Sequence, residues 1–464
     1  AGSRAVVALR PPEGAERGVC GTERGVCGPR QAMVSVAGAT LAAVARDWLA
    51  YASAVRAFSS GGATLSEDEG ALFVHLLGQP ALRRRARLQA FAQAALALRL
   101  WHRPHYRAAS FCADARANLR NVALPGTGLP LSAFCASRAL AALFVTHGLP
   151  LACLLEALRR RLLAVLWGNG LGGFGSLLAA DFRQFLLLPD DWCTLWRLNC
   201  NLASWHALLT EDVGYALEDK LAFLQAAEAA GVPVSPSIDA PRVVVKHRNE
   251  EGGLGFRSFV NARHGGDWIV QPWLRNAKQV AALLPAGAPL STVRVITASE
   301  NGLHPDGEAP RPRALSCVWR AGRCGAETDH TSVLFDVDLD SAKIVAGTSN
   351  MHWYRLGIGG LTLASPTEEL PFFEHPDTGR DLRGAELEGL RGARELVERA
   401  HARLLPGVPL VGWDVAMTHE AGTCLLEVNL SCNFFKGSLD KEAYFDFMHR
   451  WMERLEAIEA RAKK

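Results

Sequence analysis

Two carboxylates and one carboxamide lie close together near the end of the chain, among apolar residues that are typical of buried strands. Asp414 falls in the run GWDVAM, and Glu427 and Asn429 fall in the run LLEVN. Residues two apart project from the same face of a strand, and a turn at 420–422 would place Asp414 across from this pair. Mg²⁺ prefers such oxygen ligands. The pattern predicts a magnesium site at these three residues; an exposed polar face on an amphipathic hairpin is the alternative.

A lysine followed by a glycine-rich loop forms a second group of residues, one that could bind phosphate. Lys246 stands in the apolar run 243–247, and the loop after it contains Gly252, Gly253 and Gly255. Glycines let backbone N–H groups approach phosphate oxygens, and a lysine adds a compact positive charge. The chain has only eight lysines against 42 arginines, so lysine is a rare choice here. The loop is neither a Walker A loop nor a GxGxxG turn, and a plain β-hairpin with an exposed lysine remains the alternative.

Both groups belong to the C-terminal part, 211–464, which has the pattern of an α+β domain: strand-like, β-branched runs alternate with turns and amphipathic segments. We expect strands at 243–247, 268–273, 291–297, 313–320, 333–338, 411–418 and 424–430, and one more directly after the glycine loop. We expect helices at 219–230, 277–284, 384–404 and 441–461.

The N-terminal part has a different pattern. In residues 33–210, alanine, leucine and arginine recur every three to four positions, which predicts a helical domain. We expect it to pack beside the α+β domain and to help wall a substrate site. Residues 1–32 contain a tandem ERGVCG and no apolar region of a secretory signal, so we expect a disordered arm, a processed leader or a vector remnant.

Charge is divided unevenly between the two parts. Residues 1–210 contain 22 arginines, no lysine and 12 acidic residues, a net charge of +10, whereas the remaining residues contain 28 basic and 35 acidic ones, a net charge of −7. The first part could meet an anionic surface, although a solvated helical surface is the plainer interpretation. Its most apolar run, 139–155, has 17 residues and falls short of the roughly 20 that span a bilayer. We expect a buried helical hairpin there, with docking on an anionic membrane as the alternative.

The composition sets outer limits on the class of protein. Hydrophobic residues make up 49% of the chain and charged residues 21%, which excludes a disordered, collagen-like or coiled-coil protein. Eleven cysteines are too sparse for a disulfide scaffold. We therefore expect a reducing location, the cytoplasm or an organelle stroma or matrix, and not secretion.

The order of motifs resembles the ATP-grasp superfamily, and within it the sugar-transfer associated ATP-grasp proteins. The resemblance covers 211–433 and rests on GYALEDKLAF, VVVKH, STVRVIT, VWRAG, EHPDTG, and GWDVAM followed by LLEVN. It implies an ATP-grasp fold, in which two α+β subdomains grip ATP, preceded here by the mostly helical domain. The matching segments depart from the family at 329–331, where Asp-His-Thr replaces Asp-Asn and glycines. His330 and His352 stay unassigned, and His375 falls in a matching motif without an assigned role.

The resemblance also implies roles for individual residues. Lys246 would contact the ATP phosphates under a lid formed by the glycine loop, with Lys220 as a second basic residue on the nucleotide side. The backbone of Gln271, Pro272, Trp273 and Leu274 would form the hinge that contacts adenine. Arg294 and Arg320 would face the γ-phosphate and the acyl-phosphate intermediate. Asp414, Glu427 and Asn429 would hold two magnesium ions.

By the same resemblance, the chain would be an ATP-dependent, ADP-forming ligase of the carboxylate–amine type. Such an enzyme activates a carboxylate as an acyl phosphate, which an amine or other nucleophile then attacks. An ATP-grasp kinase acting on a hydroxyl group and a non-catalytic, nucleotide-binding or membrane-docked module are the alternatives. Small-molecule substrates are expected as partners and nucleic acid is not; peripheral membrane contact through the arginine-rich part stays open, as does the oligomeric state.

Overall fold

The computed structural model describes residues 29–59, 80–120, 131–170, 172–188, 192–304, 307–329, 332–349, 373–431 and 439–464. Within them the chain forms a helical layer, a six-stranded antiparallel sheet and a separate two-stranded hairpin. The predicted mixture of helices and sheet is confirmed. The expectations for residues 1–28, His330 and His352 lie outside the described residues.

The N-terminal half is helical, as its periodicity predicts. Its helices are α1 (Pro29–Ser59), α2 (Pro80–Ala94), α3 (Phe111–Leu119), α4 (Arg138–Leu143), α5 (Leu149–Ala164), α6 (Phe174–Leu187) and α7 (Trp192–Thr210). Ser110 and Ser137 begin α3 and α4, and each serine side chain accepts a hydrogen bond from a backbone N–H three residues later. This is the usual way in which serine satisfies a free donor at a helix start.

One continuous helix replaces the hairpin expected at 139–155, so that expectation is wrong. The π-helical turn Phe144–Gly148 joins α4 to α5, and a second such turn, Val165–Asn169, follows α5. Pro150 lies just after the first of these π-helical turns, where the regular i→i−4 hydrogen-bond pattern is already interrupted, so its missing N–H does not break the helix. By length and composition, the helix Arg138–Gly168 is long and apolar enough to cross a membrane.

A short helix and the hairpin open the C-terminal part. Helix α8 (Lys220–Ala229) is capped by Asp219, and strand β1 (Arg242–Lys246) pairs antiparallel with β2 (Phe256–Val260) across the glycine loop. The strand expected at 268–273 does not form; within the described residues, only an isolated bridge joins Trp268 to Asn261. Pro272 has no N–H to donate, which disfavours a strand there.

The large sheet follows after the short helix α9 (Lys278–Ala281). Its strands are β3 (Thr292–Ala298), β4 (Arg313–Ala321), β5 (Val333–Val337), β6 (Ile344–Ser349), β7 (Leu410–Thr418) and β8 (Gly422–Asn429). They lie in the order β6-β5-β4-β3-β7-β8, and every neighbouring pair is antiparallel. Strand β6 is not among the strands predicted from the sequence.

Helix α10 covers one face of the large sheet, and the helical layer covers the other. On one face lies α10 (Leu390–Leu404). Nε2 of its His401 donates to the backbone oxygen of Val408, so Nδ1 is free to accept a hydrogen bond from the hydroxyl of Thr297 in β3, at 2.7 Å. On the opposite face Ile296 packs into the core of the helical layer. Alternate residues of β3 therefore face different layers, as the two-residue period of a strand requires.

The C-terminal helix α11 (Lys441–Ala462) also belongs to the helical layer. The hydroxyl of Tyr444 donates to Asn199 of α7 at 2.8 Å, and Trp451 is fully buried in the same core as the N-terminal helices. The packing of the helical layer thus crosses the boundary predicted at 210/211, and the division into folding units remains a prediction.

Candidate functional site

A row of charged residues crosses three neighbouring strands of the large sheet. Arg294 of β3 stands directly opposite Asp414 of β7, and Asp414 stands directly opposite Glu427 of β8. The prediction that a hairpin brings Asp414 across from Glu427 is confirmed. Beyond this pair Val415 stands opposite Leu425, so Leu426 is an extra residue on β8. Such a bulge lets consecutive side chains face the same way, and both Leu426 and Glu427 line the same cleft.

Asp414 is buried and held by two guanidinium groups. Its carboxylate accepts a hydrogen bond from Nη2 of Arg294 at 3.1 Å and a second from Nε of the same side chain. Both terminal nitrogens of Arg320 lie 3.4 Å from the two carboxylate oxygens. Burial raises the pKa of Asp414, but the positive charges of Arg294 and Arg320 lower it by more, so the pKa lies below its ordinary value. Asp414 is therefore ionised at neutral pH.

Glu427, in contrast, pairs with an exposed cation. Nζ of Lys220, at the first residue of α8, lies 2.7 Å from Oε2 of Glu427, and the lysine side chain is 64% exposed. Nδ2 of Asn429 lies 3.4 Å from Oε1 of Glu427. A pair with an exposed, flexible lysine contributes little stability and can open without disturbing the fold.

Two further residues join this cluster that the sequence analysis did not assign to it. Asp329 accepts a hydrogen bond from Arg320 at 3.3 Å and another from the hydroxyl of Thr292. Thr292 lies two residues before Arg294 in β3, so the strand period alone could have placed it on the same face. Asp329 lies in the segment that departs from the family pattern, and no sequence signal linked it to Arg320.

The cluster is electrically balanced. It consists of three carboxylates and three cationic side chains: Asp329, Asp414, Glu427, Lys220, Arg294 and Arg320. Each carboxylate therefore already has a side-chain counter-charge.

These residues line or support a large cleft between the sheet and the segments that precede it. The cleft has a volume of about 960 Å³, which falls within the range of roughly 300–1,000 Å³ common for ligand sites. Among the predicted residues, its wall contains Lys220, the hinge 271–274, Arg320, Asp414 and Glu427. Among the described residues of the wall, seven are acidic and two are basic, a difference of −5.

The hinge residues leave backbone groups available to a ligand. The side-chain amide of Gln271 donates to the hydroxyl of Ser235 at 2.6 Å, Leu274 is buried, and Trp273 is 74% exposed. Within the described part of the chain, no backbone hydrogen bond joins residues 271–274 to another backbone group. A planar ring with donors and acceptors on its edge could bind these free groups.

Other predicted residues lie elsewhere. Lys246 is exposed, with Nζ 5.8 Å from the ring centre of Phe256, and it does not line the cleft. Gly252, Gly253 and Gly255 also stay off the wall; their φ angles of 64°, 81° and 66° explain why the loop uses glycine. No residue before Glu218 lines the cleft, so the described helices of the N-terminal part do not wall it, contrary to the expectation.

The matching motif EHPDTG has a structural role in these contacts. His375 is fully buried; its Nδ1 accepts the backbone N–H of Asp377, and its Nε2 donates to the backbone oxygen of Gly322 at 3.1 Å. Burial lowers the pKa of His375. Asp377 bonds Arg323, and mainly this bond lowers the pKa of Asp377 to about 2. The motif therefore holds Gly322 and Arg323, the two residues that follow β4, by hydrogen bonds.

The donor chemistry at Glu427 and Asn429 fits a magnesium ion, since both side chains offer oxygen ligands beside the cleft. Asp414 fits less directly, because a metal at its carboxylate would compete with Arg294. Within the described ranges no group of three histidine, cysteine or acidic side chains forms a metal cage. An ion here would therefore need water or phosphate oxygens as its remaining ligands.

This chain has little detectable similarity to known proteins. No family model matches this chain, and a search of curated proteins finds no match. Solved structures similar to it include N5-carboxyaminoimidazole ribonucleotide synthetase from Thermotoga maritima, with 12% sequence identity and a TM-score of 0.21. The match covers 52% of this chain and 48% of that chain, so it spans about half the length of that protein. At this TM-score the likeness carries no argument about fold or function.

Proposed function

We propose that the cleft binds ATP with magnesium and that the chain is an ATP-dependent ligase, which activates a carboxylate as an acyl phosphate. The observation that carries this proposal is the composition of the cleft wall. Motifs far apart in the sequence contribute Lys220, the hinge 271–274, Arg320, Asp414 and Glu427 to one cavity of about 960 Å³. These are residues to which the resemblance assigns nucleotide and metal contacts.

The charge of the wall supports a requirement for a divalent cation. Two cations that do not line the wall, Arg294 and Arg107, offset Asp414 and Glu218, and the acidic excess that remains disfavours a free triphosphate. Glu427 and Asn429 would hold a magnesium ion, which would supply positive charge that neutralises the phosphates. We therefore expect nucleotide binding to depend steeply on magnesium.

In this reaction the protein mainly positions two anions, the substrate carboxylate and the ATP triphosphate, and offsets the repulsion between them. A carboxylate oxygen of the substrate attacks the γ-phosphorus, the bond to the β–γ bridging oxygen breaks, and ADP leaves. An amine nitrogen then attacks the acyl carbon, phosphate leaves with its oxygen, and the nitrogen loses a proton.

Arg320 is the cation best placed for the phosphoryl group, since its guanidinium lies on the cleft wall. Asp414 and Asp329 hold it at 3.3–3.4 Å, and a guanidinium fixed in advance need not reorganise during the reaction. Lys220 can leave Glu427 and turn toward phosphate, because its side chain is largely exposed. In this proposal Arg294 acts through Asp414, as a positioning residue.

Nucleotide binding is tested by thermal unfolding with ATP and magnesium, with ATP and EDTA, and with magnesium alone. Binding to the native state adds about 2.7 kcal/mol at a ligand concentration of roughly 100 times Kd. We expect a higher Tm with ATP and magnesium together and almost none of this shift with EDTA. No shift at saturating ATP and magnesium would contradict the proposal.

Ligase activity is tested by its products with pooled carboxylate and amine substrates. A ligase forms ADP, phosphate and an amide in equal amounts, whereas a kinase forms ADP and a phosphorylated alcohol. Glu395→Gln is a suitable control for active-site variants, because Glu395 is 70% exposed on α10, away from the cleft wall.

A further inference from the structure

The long helix Arg138–Gly168 exposes an apolar face to solvent. Only 33% of its most apolar stretch is buried inside the protein. We call the exposed side the leucine face. It consists of Leu140, Leu143, Leu151, Leu155, Leu162 and Leu166, followed by Trp167 at the end of the helix. Leu166 and Trp167 are the most exposed, at 77% and 84%.

The spacing of these leucines places them on one side of the helix. Successive members are three, eight, four, seven and four residues apart, close to whole turns of 3.6 residues. The other side is apolar as well: Val145, Leu149 and Cys153 are buried in the core of the helical layer. A helix that is apolar all round needs cover on both sides, and an exposed patch of this kind marks an interaction surface.

The charges of the helix indicate which kind of surface covers it. The segment contains four arginines and one acidic residue, and Arg161 also pairs with Asp181 of α6, so the helix with this partner has a net charge of +2. The single acid, Glu156, is 1% exposed and accepts a hydrogen bond from Arg159 at 2.7 Å. A second copy of the chain would bring the same net positive charge beside this face, so pairing of two copies is disfavoured. An anionic partner is favoured.

We propose that the leucine face docks the protein on the surface of an anionic lipid bilayer. The helix would lie in the plane of the membrane and would not cross it, because its opposite side packs against the rest of the helical layer. At 1.5 Å per residue the helix is about 46 Å long, which gives a continuous row of leucines for the acyl-chain boundary. Trp167 would lie at the level of the headgroups, where tryptophan is enriched. This proposal is independent of the proposed ligase function.

The test is co-sedimentation of the full chain with vesicles of phosphatidylcholine alone and of phosphatidylcholine mixed with phosphatidylglycerol. We expect binding to the mixed vesicles that is at least about tenfold tighter than to phosphatidylcholine and that weakens with salt. The double variant Leu151→Asp/Leu155→Asp should lose at least about tenfold of this binding. Its matched control is Val213→Asp/Val345→Asp, which adds the same charge at exposed positions off the helix and should bind like the wild type.

A second variant separates lost apolar contact from added negative charge. Leu162→Gln/Leu166→Gln adds no charge and should also weaken binding, while circular dichroism melting confirms that each variant is folded. Wild-type chain that fails to bind the mixed vesicles would overturn the proposal. So would folded leucine variants that bind normally. An oligomer in lipid-free solution that Leu151→Asp/Leu155→Asp converts to monomer would also overturn it, since the face would then join copies of the chain.

Discussion

Replacing Asp414 with asparagine should destabilise the large sheet strongly, because Arg294 would lose its counter-charge in a buried place. The side chains of Arg294 and Asp414 are each only 7% exposed. Removing one partner of such a pair costs about 3–5 kcal/mol, since the other charge remains desolvated. Arg320 keeps a hydrogen bond to Asp329 at 3.3 Å, so the loss falls mainly on Arg294. We expect a loss of about 3 kcal/mol, the lower end of this range.

The measurement is the free energy of unfolding in urea, with hydrogen exchange of the β3 and β7 amides to follow the sheet itself. The double variant Arg294→Met/Asp414→Leu is the decisive comparison. Replacing both charges with apolar groups removes the desolvation cost, so this variant should recover most of the stability that Asp414→Asn loses. A loss below about 1 kcal/mol in Asp414→Asn would refute the reasoning, because that is the value of an exposed pair.

The pH dependence of this effect has a definite sign. The pKa of Asp414 in the folded chain lies below its ordinary value of 3.8. The ionised carboxylate therefore contributes stability that is fully present above the ordinary value and is lost as the pH falls through the folded value. The difference between wild type and Asp414→Asn should be constant from about pH 5 to 8 and should shrink below about pH 4.

Three further variants test the cleft. Glu427→Gln should reduce turnover by at least about 100-fold in a steady-state assay. The nucleotide-free Tm should stay nearly unchanged, because the ion pair between Glu427 and Lys220 is exposed. Near-normal turnover would show that Glu427 is not a metal ligand. Lys220→Met should tighten the binding of Mn²⁺ without nucleotide, measured by electron paramagnetic resonance, because Glu427 loses the cation 2.7 Å away; unchanged Mn²⁺ affinity would argue against Glu427 as a ligand. Lys246→Met should leave the Kd for ATP nearly unchanged, like the control Lys343→Met, because Lys246 lies off the cleft wall. A rise of about tenfold, the loss of one charge-assisted hydrogen bond, would instead place Lys246 at the phosphates.

Features that depend on neighbouring residues can be predicted from the amino-acid sequence alone. The hairpin of β7 and β8 follows from two apolar runs joined by a short turn, and the two-residue period then places Asp414 opposite Glu427. The glycine loop between β1 and β2 could be read in the same way, since its glycines adopt positive φ angles that other residues rarely adopt. The apolar pattern along 140–166 likewise predicts helix, but it does not show that Pro150 is accommodated within one continuous helix.

Contacts between residues that are distant in the sequence depend on the tertiary fold. Nothing near Asp414 in the sequence indicates that Arg294 and Arg320 neutralise it, because that contact depends on the order β4-β3-β7 in the sheet. In the same way, Lys220 reaches Glu427 only because α8 begins beside β8, while Lys246, equally prominent in the sequence, stays off the cleft wall. The side of an apolar helix that remains exposed is also decided by packing, because both sides of Arg138–Gly168 are apolar in sequence and only one meets the core.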